Sequence, residues 1–277
     1  MKKTLIALAV AASAAVSGSV MAAEWVEAQP GNIDIGGEIN TQSVKWLWKT
    51  GDGLSSFSSL VTDISNRVLN IPVTTDQLFL AGKMDKGFKG TFSGNSLIPK
   101  VEMASYDGSV ISPEFIDNSS MNISVKVKDG SNNTELGALS IPLTFGAAVA
   151  TIFEGEDQSS NNIASITSGS PGTVFEGLTR PGGMTSKEKS YKWTGVSADE
   201  MANYVKVLMP GYDIREGDVY HNWNNPGQGN YAATNKASYL TYGAGIEANS
   251  SLTMNLNKDI SGHVEWKAPV AITITYS

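Results

Sequence analysis

The chain has 277 residues, no cysteine and a formal net charge of -7. An acidic surface argues against nucleic acid and anionic membrane as partners, and the missing cysteines exclude disulfides, thiol nucleophiles, Cys-zinc sites and iron–sulfur clusters. Gly, Ser, Thr and Asn are abundant, the composition of many short strands joined by turns.

Residues 1–22 read as a signal peptide for export. Met1-Lys2-Lys3-Thr4 is cationic, residues 5–16 are apolar or small, and Val20-Met21-Ala22 gives a small-x-small end with cleavage expected after Ala22. The apolar run is too short to span a bilayer and no later segment is apolar for long enough, so direct membrane insertion is not expected. Loss of Lys2 and Lys3 leaves 18 basic against 27 acidic residues.

Residues 23–40 come next, and their centre alternates. Ile33, Ile35, Gly37 and Ile39 share one face; Asp34, Gly36 and Glu38 share the other. A glycine at an inward position suits a strand that lies close over another backbone. Two readings follow from this pattern: an edge strand of its own sandwich, or a strand donated to a neighbouring subunit.

The body, residues 41–277, is strand-rich. Val44, Trp46 and Trp48 alternate on one face before a turn at 50–53. Leu54, Phe57, Leu60, Val61 and Ile64 recur at helical spacing and predict a short helix near 54–65. Strands are expected at 67–73, 77–81 and 97–106. Residues 121–128 and 135–145 form a hairpin around Asp129-Gly130-Ser131-Asn132-Asn133, and 147–153 continues extended. From about 154 to 236 the composition shifts to loop-rich sequence and reads as an insertion. It holds one clear helix, with a capping box at Ser197 and Glu200 and a stop at Pro210-Gly211.

Strands resume at 237–242 and 251–257. The last, 263–276, places Val270, Ile272, Ile274 and Tyr276 on one face, with Pro269 as a breaker. A sandwich that stops on an apolar strand lacks an edge neighbour. A spare strand in front and a vacant edge behind fit strand addition between copies.

These features together resemble the chaperone–usher pilus subunits, and among them the kappa-class fimbriae of enterotoxigenic Escherichia coli. The resemblance rests on the signal peptide, the Ile33-x-Ile35-x-Gly37-x-Ile39 strand, Val44-Lys45-Trp46-Leu47-Trp48-Lys49-Thr50-Gly51, Trp266-Lys267-Ala268-Pro269-Val270 and the penultimate Tyr276. It implies an all-β, incomplete immunoglobulin-like β-sandwich with one or two short helices, lacking one strand and completed by donor-strand exchange. It implies a donor strand at Ile33, Ile35, Gly37 and Ile39, and an acceptor and chaperone strand at Val270, Ile272, Ile274 and Tyr276. The implied partners are neighbouring copies, a periplasmic chaperone, an outer-membrane usher and a host glycoconjugate receptor bound by the inserted region. The implied location is a cell-surface fimbria reached through the periplasm.

Sugar recognition needs an aromatic face beside groups that bind hydroxyls. The inserted region offers Tyr191, Trp193, Asp213, Arg215, Tyr220 and Trp223 for this, although Trp193 and Trp223 read equally as packing residues. Catalysis has little support. No Gly-x-Ser-x-Gly elbow is present, and His221 and His263 read as structural or exposed. The acidic clusters Glu154, Glu156, Asp157 and Asp213, Glu216, Asp218 read as solvated loops, so no cofactor or metal is expected. The alternatives are a secreted monomeric lectin or glycosidase, and a purely structural pilin.

Overall fold

The computed structural model describes residues 44–52, 54, 57–92, 97–155, 158–225 and 232–277. The expected signal peptide, the 23–40 extension and Ile33, Ile35, Gly37 and Ile39 lie outside them.

The fold hangs on one strand. The hairpin arm expected at 135–145 and the extended stretch at 147–153 are a single 19-residue strand, β9 (Glu135–Phe153), whose burial alternates at first and is nearly continuous in its second half. The change reflects what covers it. In the first half, one edge pairs antiparallel with β8 (Ser120–Asp129), with Ile123 opposite Ile141 and Val125 opposite Leu139. In the second half, β9 is a central strand covered by helices, and small apolar residues such as Ala147, Ala148, Val149 and Ala150 are fully buried.

Along the other edge of β9 runs β12 (Lys236–Ile246), from Lys236 opposite Phe153 to Gly245 opposite Thr144. It is followed by β13 (Ser250–Leu256), with Thr253 opposite Ser140. β2 (Val68–Val73) pairs with β13. β3 (Gln77–Met84) pairs with β12, and β1 (Trp46–Thr50) pairs with β3. The short strands β4 (Phe88–Lys89), β7 (Glu114–Phe115) and β14 (Trp266–Lys267) add to β12, β8 and β8 respectively. A second sheet holds β15 (Val270–Tyr276), β5 (Pro99–Ser105) and β6 (Val110–Ile111) in that order. The all-β expectation holds.

Among the described residues of 54–65 the expected helix is absent; they hold a single 3-10 turn, Val61–Asp63, with Leu60 exposed. The apolar spacing has another cause: Leu54, Phe57 and Ile64 turn toward the core from an irregular segment. Residues 154–236 are more regular than their composition suggests. β10 (Asn162–Thr167) pairs antiparallel with β9, and β11 (Arg215–Asn222) pairs parallel with β10, so both extend the main sheet. α2 (Ala198–Lys206) is the expected helix, with Ser197 Oγ accepting from the Glu200 amide at 3.2 Å. The Glu200 carboxylate reaches Lys83 at 3.3 Å.

A second helix, α1 (Lys187–Thr194), precedes α2; Ser186 caps its start and Gly195, at φ 73°, ends it. It lies against β9 and β12 and drives Trp193 into the sheet. A Cβ at Gly243 or Gly245 would fall 2.5 and 2.4 Å from Trp193, so the indole occupies space that only glycine leaves open. Its N–H donates to Thr144 Oγ1 at 3.2 Å.

Trp193→Ala is therefore expected to destabilise the fold by about 3–5 kcal/mol, whereas Tyr220→Ala, on an exposed face, stays within about 0.5 kcal/mol. Equilibrium urea unfolding of the two variants beside the parent chain measures both.

Candidate functional site

Two regions carry the residues singled out by the sequence. The first is an apolar groove of about 980 Å³ beside the C-terminal strand. One wall is Val270 and Ile272 of β15 with the approach Trp266–Pro269; the floor includes Leu139 and Ile141 of β9. Thr50 and Gly51, at the end of β1, stand on the other side. Alternation built the first wall as expected. Val270, Ile272 and Ile274 are half-buried, while Ala271, Thr273 and Thr275 face out. Tyr276 departs from the inward set, since it is 42% exposed.

β15 is hydrogen-bonded to β5 from Val270 opposite Ser105 to Tyr276 opposite Pro99. It ends its sheet, and β1 ends the other. Among the described residues neither has a strand along its second edge. Such an edge offers backbone N–H and C=O groups in a row, which pair readily with an extended chain.

The second region is built on β11 and α1. Asp213, Arg215 and Tyr220 are exposed, Tyr220 at 56%. Tyr191, on α1, is half-buried, and its hydroxyl donates to the Glu216 carboxylate at 3.3 Å. Burial, with Glu216 beside it, pushes the Tyr191 phenol well above its ordinary value. Lys187 extends from the same helix, donating from Nζ to the Gly217 carbonyl at 2.8 Å, with Glu216 at 3.8 Å. Tyr191, Lys187 and Glu216 thus form one polar cluster along β11. Glu216, read on sequence as part of a solvated acidic loop, instead lies on β11 with Tyr191 and Lys187 as partners, and Lys187 was not singled out on sequence; the α1 cap signals, Ser186 and Gly195, were the available cue that its stretch is helical.

Trp193 and Trp223 are corrected. Trp193 is 5% exposed and Trp223 is fully buried, so neither ring offers a face to a sugar. Trp223 packs edge-on to Phe92 at 4.9 Å between centroids, and the Lys236 ammonium lies 4.4 Å from its centroid. Both work in the interior because α1 and the strands fold over them.

Full-length comparison decides the family. Residues 1–277 match the family described as "Fimbrial, major and minor subunit", of the K88 type. The chain belongs to that family. It is 62% identical over 278 residues to the F41 fimbrial protein of Escherichia coli, covering all of both chains. It is 26% identical over 299 residues to K88 fimbrial protein AB and 27% over 295 residues to K88 fimbrial protein AD, both of E. coli and again covering all of both chains. This member of the fimbrial family is a structural subunit that assembles with copies of itself, and not an enzyme.

The inserted region also contains two depressed bases. His221 Nε2 lies 2.7 Å from Asn162 Oδ1, with its ring beside Phe153. Burial, with help from the Lys236 charge, brings His221 down to about 4. Burial brings the Lys236 amine down to about 7. Both are held below their unfolded values, so the folded chain takes up these protons later than the unfolded chain. The Lys236 cost accrues from about pH 10.5 down to 7 and is complete below that. The His221 cost accrues from 6.5 down to about 4. Stability is therefore expected to fall on acidification across pH 6.5 to 4, by up to about 3 kcal/mol from His221. In His221→Gln the drop over that window should shrink, as read by urea unfolding at pH 7, 5.5 and 4.5.

Proposed function

We propose that this fimbrial subunit polymerises by donor-strand exchange and that the assembled fimbria binds host glycoconjugates. The observation that carries the first half is the pair of sheet-ending strands, β1 and β15, flanking an apolar groove. The extension at 23–40 supplies the complementary pattern, with Ile33, Ile35, Gly37 and Ile39 spaced to fill alternate positions over Val270, Ile272, Ile274 and Tyr276. An exported subunit that carries such a groove needs it covered until a neighbour arrives. A periplasmic chaperone does this, and an outer-membrane usher replaces the chaperone with the next copy. The leader at 1–22 directs the chain into that route, which ends at the cell surface.

For the second half, the receptor face lies along β11. Tyr220 supplies the aromatic surface, and Asp213 and Arg215 supply hydroxyl-binding groups. Tyr191, oriented by Glu216, stands close by on α1.

Residues 30–40 fused after Ser277 through a short linker are expected to give a monomer with a raised melting temperature that no longer polymerises. Deletion of residues 23–40 is expected to abolish polymers. Size-exclusion chromatography and thermal melts read both; polymers that survive the deletion would remove the donor assignment.

Fimbriae of Tyr220→Ala and Arg215→Ala should assemble in parent amounts yet lose at least about tenfold in glycan-array binding, the scale of one lost polar or stacking contact. Unchanged binding by both variants removes this face. An array on which the parent fimbriae are silent returns the chain to a purely structural pilin.

A further inference from the structure

We propose that Trp48 and Tyr276 form a latch that closes one end of the groove and decides how deeply an incoming strand seats; this rests on the strand-acceptor reading above. Thr50 and Gly51, at the end of β1, and Val270 and Ile272, at the start of β15, line the open groove. Further along β15 come Ile274 and Tyr276, and further back along β1 comes Trp48. There the two strands meet: the Trp48 indole N–H donates to the Tyr276 hydroxyl at 2.9 Å. This contact joins the last strand of one sheet to the last strand of the other.

The two partners are held very differently. Trp48 stands opposite Gly82 in the β1–β3 register, and a Cβ at Gly82 would lie 2.4 Å from its ring, so the indole sits flat on the sheet. Its other support is Trp46, stacked with centroids 5.6 Å apart at 26°. Trp46 is itself buried, donates to the Leu97 carbonyl at 2.9 Å and meets Phe175 edge-on. The backbone of Tyr276 is held by its pairing with Pro99 of β5, but its side chain is 42% exposed. The closure is one neutral hydrogen bond between a packed indole and an exposed phenol.

Val270, Ile272 and Ile274 share the inward pattern of β15, but of these only Val270 and Ile272 line the open groove. A strand entering the open groove pairs beside these two first. To continue beside Ile274 and Tyr276 it must break the Trp48–Tyr276 bond. The groove therefore has a shallow seat, reached with the latch closed, and a deep seat, reached with it open. A strand too short, or slipped in register, gains too little beyond Ile272 to open the latch and leaves again. A strand of full length opens it and stays. Trp48 and Tyr276 are positioning residues for strand register, and their contact selects length.

The test uses the full chain and two labelled synthetic peptides, residues 30–40 and a truncation carrying residues 30–36. Tyr276→Phe keeps the ring and removes the hydroxyl; Trp48→Phe is the second variant. Uptake is followed by fluorescence polarisation, and seating depth by amide hydrogen exchange at residues 274–277. Tyr276→Phe should speed uptake of the long peptide about fivefold, the rate equivalent of one ordinary hydrogen bond, and leave the short peptide unchanged. In the parent, the long peptide alone should protect residues 274–277 and shift tryptophan emission. Equal rates for parent and both variants with the long peptide, or equal protection by both peptides, overturns the latch while the acceptor reading stands. Uptake of neither peptide by any of the three proteins overturns both.

Discussion

The central constraint is the need of β9 for partners on both edges. Each residue of a buried strand carries an N–H and a C=O that must be paired. β9 meets this along its length by changing neighbours. From Glu135 to Thr144 it pairs with β8, with β13 on the opposite edge from Gly137 to Ser140; from Thr144 to Phe153 it lies beside β12, with β10 on its far edge from Ala148 to Thr151. Nothing else in the described chain ties so many elements together. The groove draws its floor from the first half, through Leu139 and Ile141, and the β10–β11 edge is attached to the second. The groove and the exposed β11 face are thereby tied to different halves of the same strand.

Much of this was legible in the sequence. Alternation located β8, β9, β13 and β15, and Ser197 located α2, because the period of two and the cap are local signals that burial on one face enforces. The legible part of the groove was the face of β15. The part that was not legible was β1 as its opposite wall, since which strand ends a sheet depends on long-range pairing. Residues 54–65 misled for a related reason. Apolar residues three and four apart mark a helix only if they lie on one continuous helical turn; here they are anchors of an irregular segment.

The inserted region was harder to read. β10 and β11 contain polar residues, and their pairing is parallel and separated by some 50 intervening positions, so neither announces its partner. α1 reads Lys187-Glu-Lys-Ser-Tyr-Lys-Trp-Thr, a polar helix whose buried residues are Lys187, Ser190 and Trp193. Its stability comes from the sheet beneath it, and from Lys192 reaching Asp76 and Glu247 at 3.0 and 3.2 Å, rather than from an apolar stripe. The two tryptophans illustrate the limit: an aromatic in a polar, turn-rich stretch suits a surface platform or a cap over the core equally well, and only the packing of Gly243, Gly245 and Phe92 separates these.

The order of events in folding follows from the partner of β15. Its neighbour β5 lies far upstream, and its pairing reaches to the final residue, where Ser277 and Ile98 exchange backbone hydrogen bonds at 3.1 and 3.2 Å. Chains emerge from their amino end, and contacts between distant residues form slowly. The β15–β5 pairing therefore forms only once residues 270–276 have been made, while β8, β9 and β12 can already have associated. For that interval β5 has its own bare edge, and every nascent copy passes through a stage at which it is sticky on two sides at once.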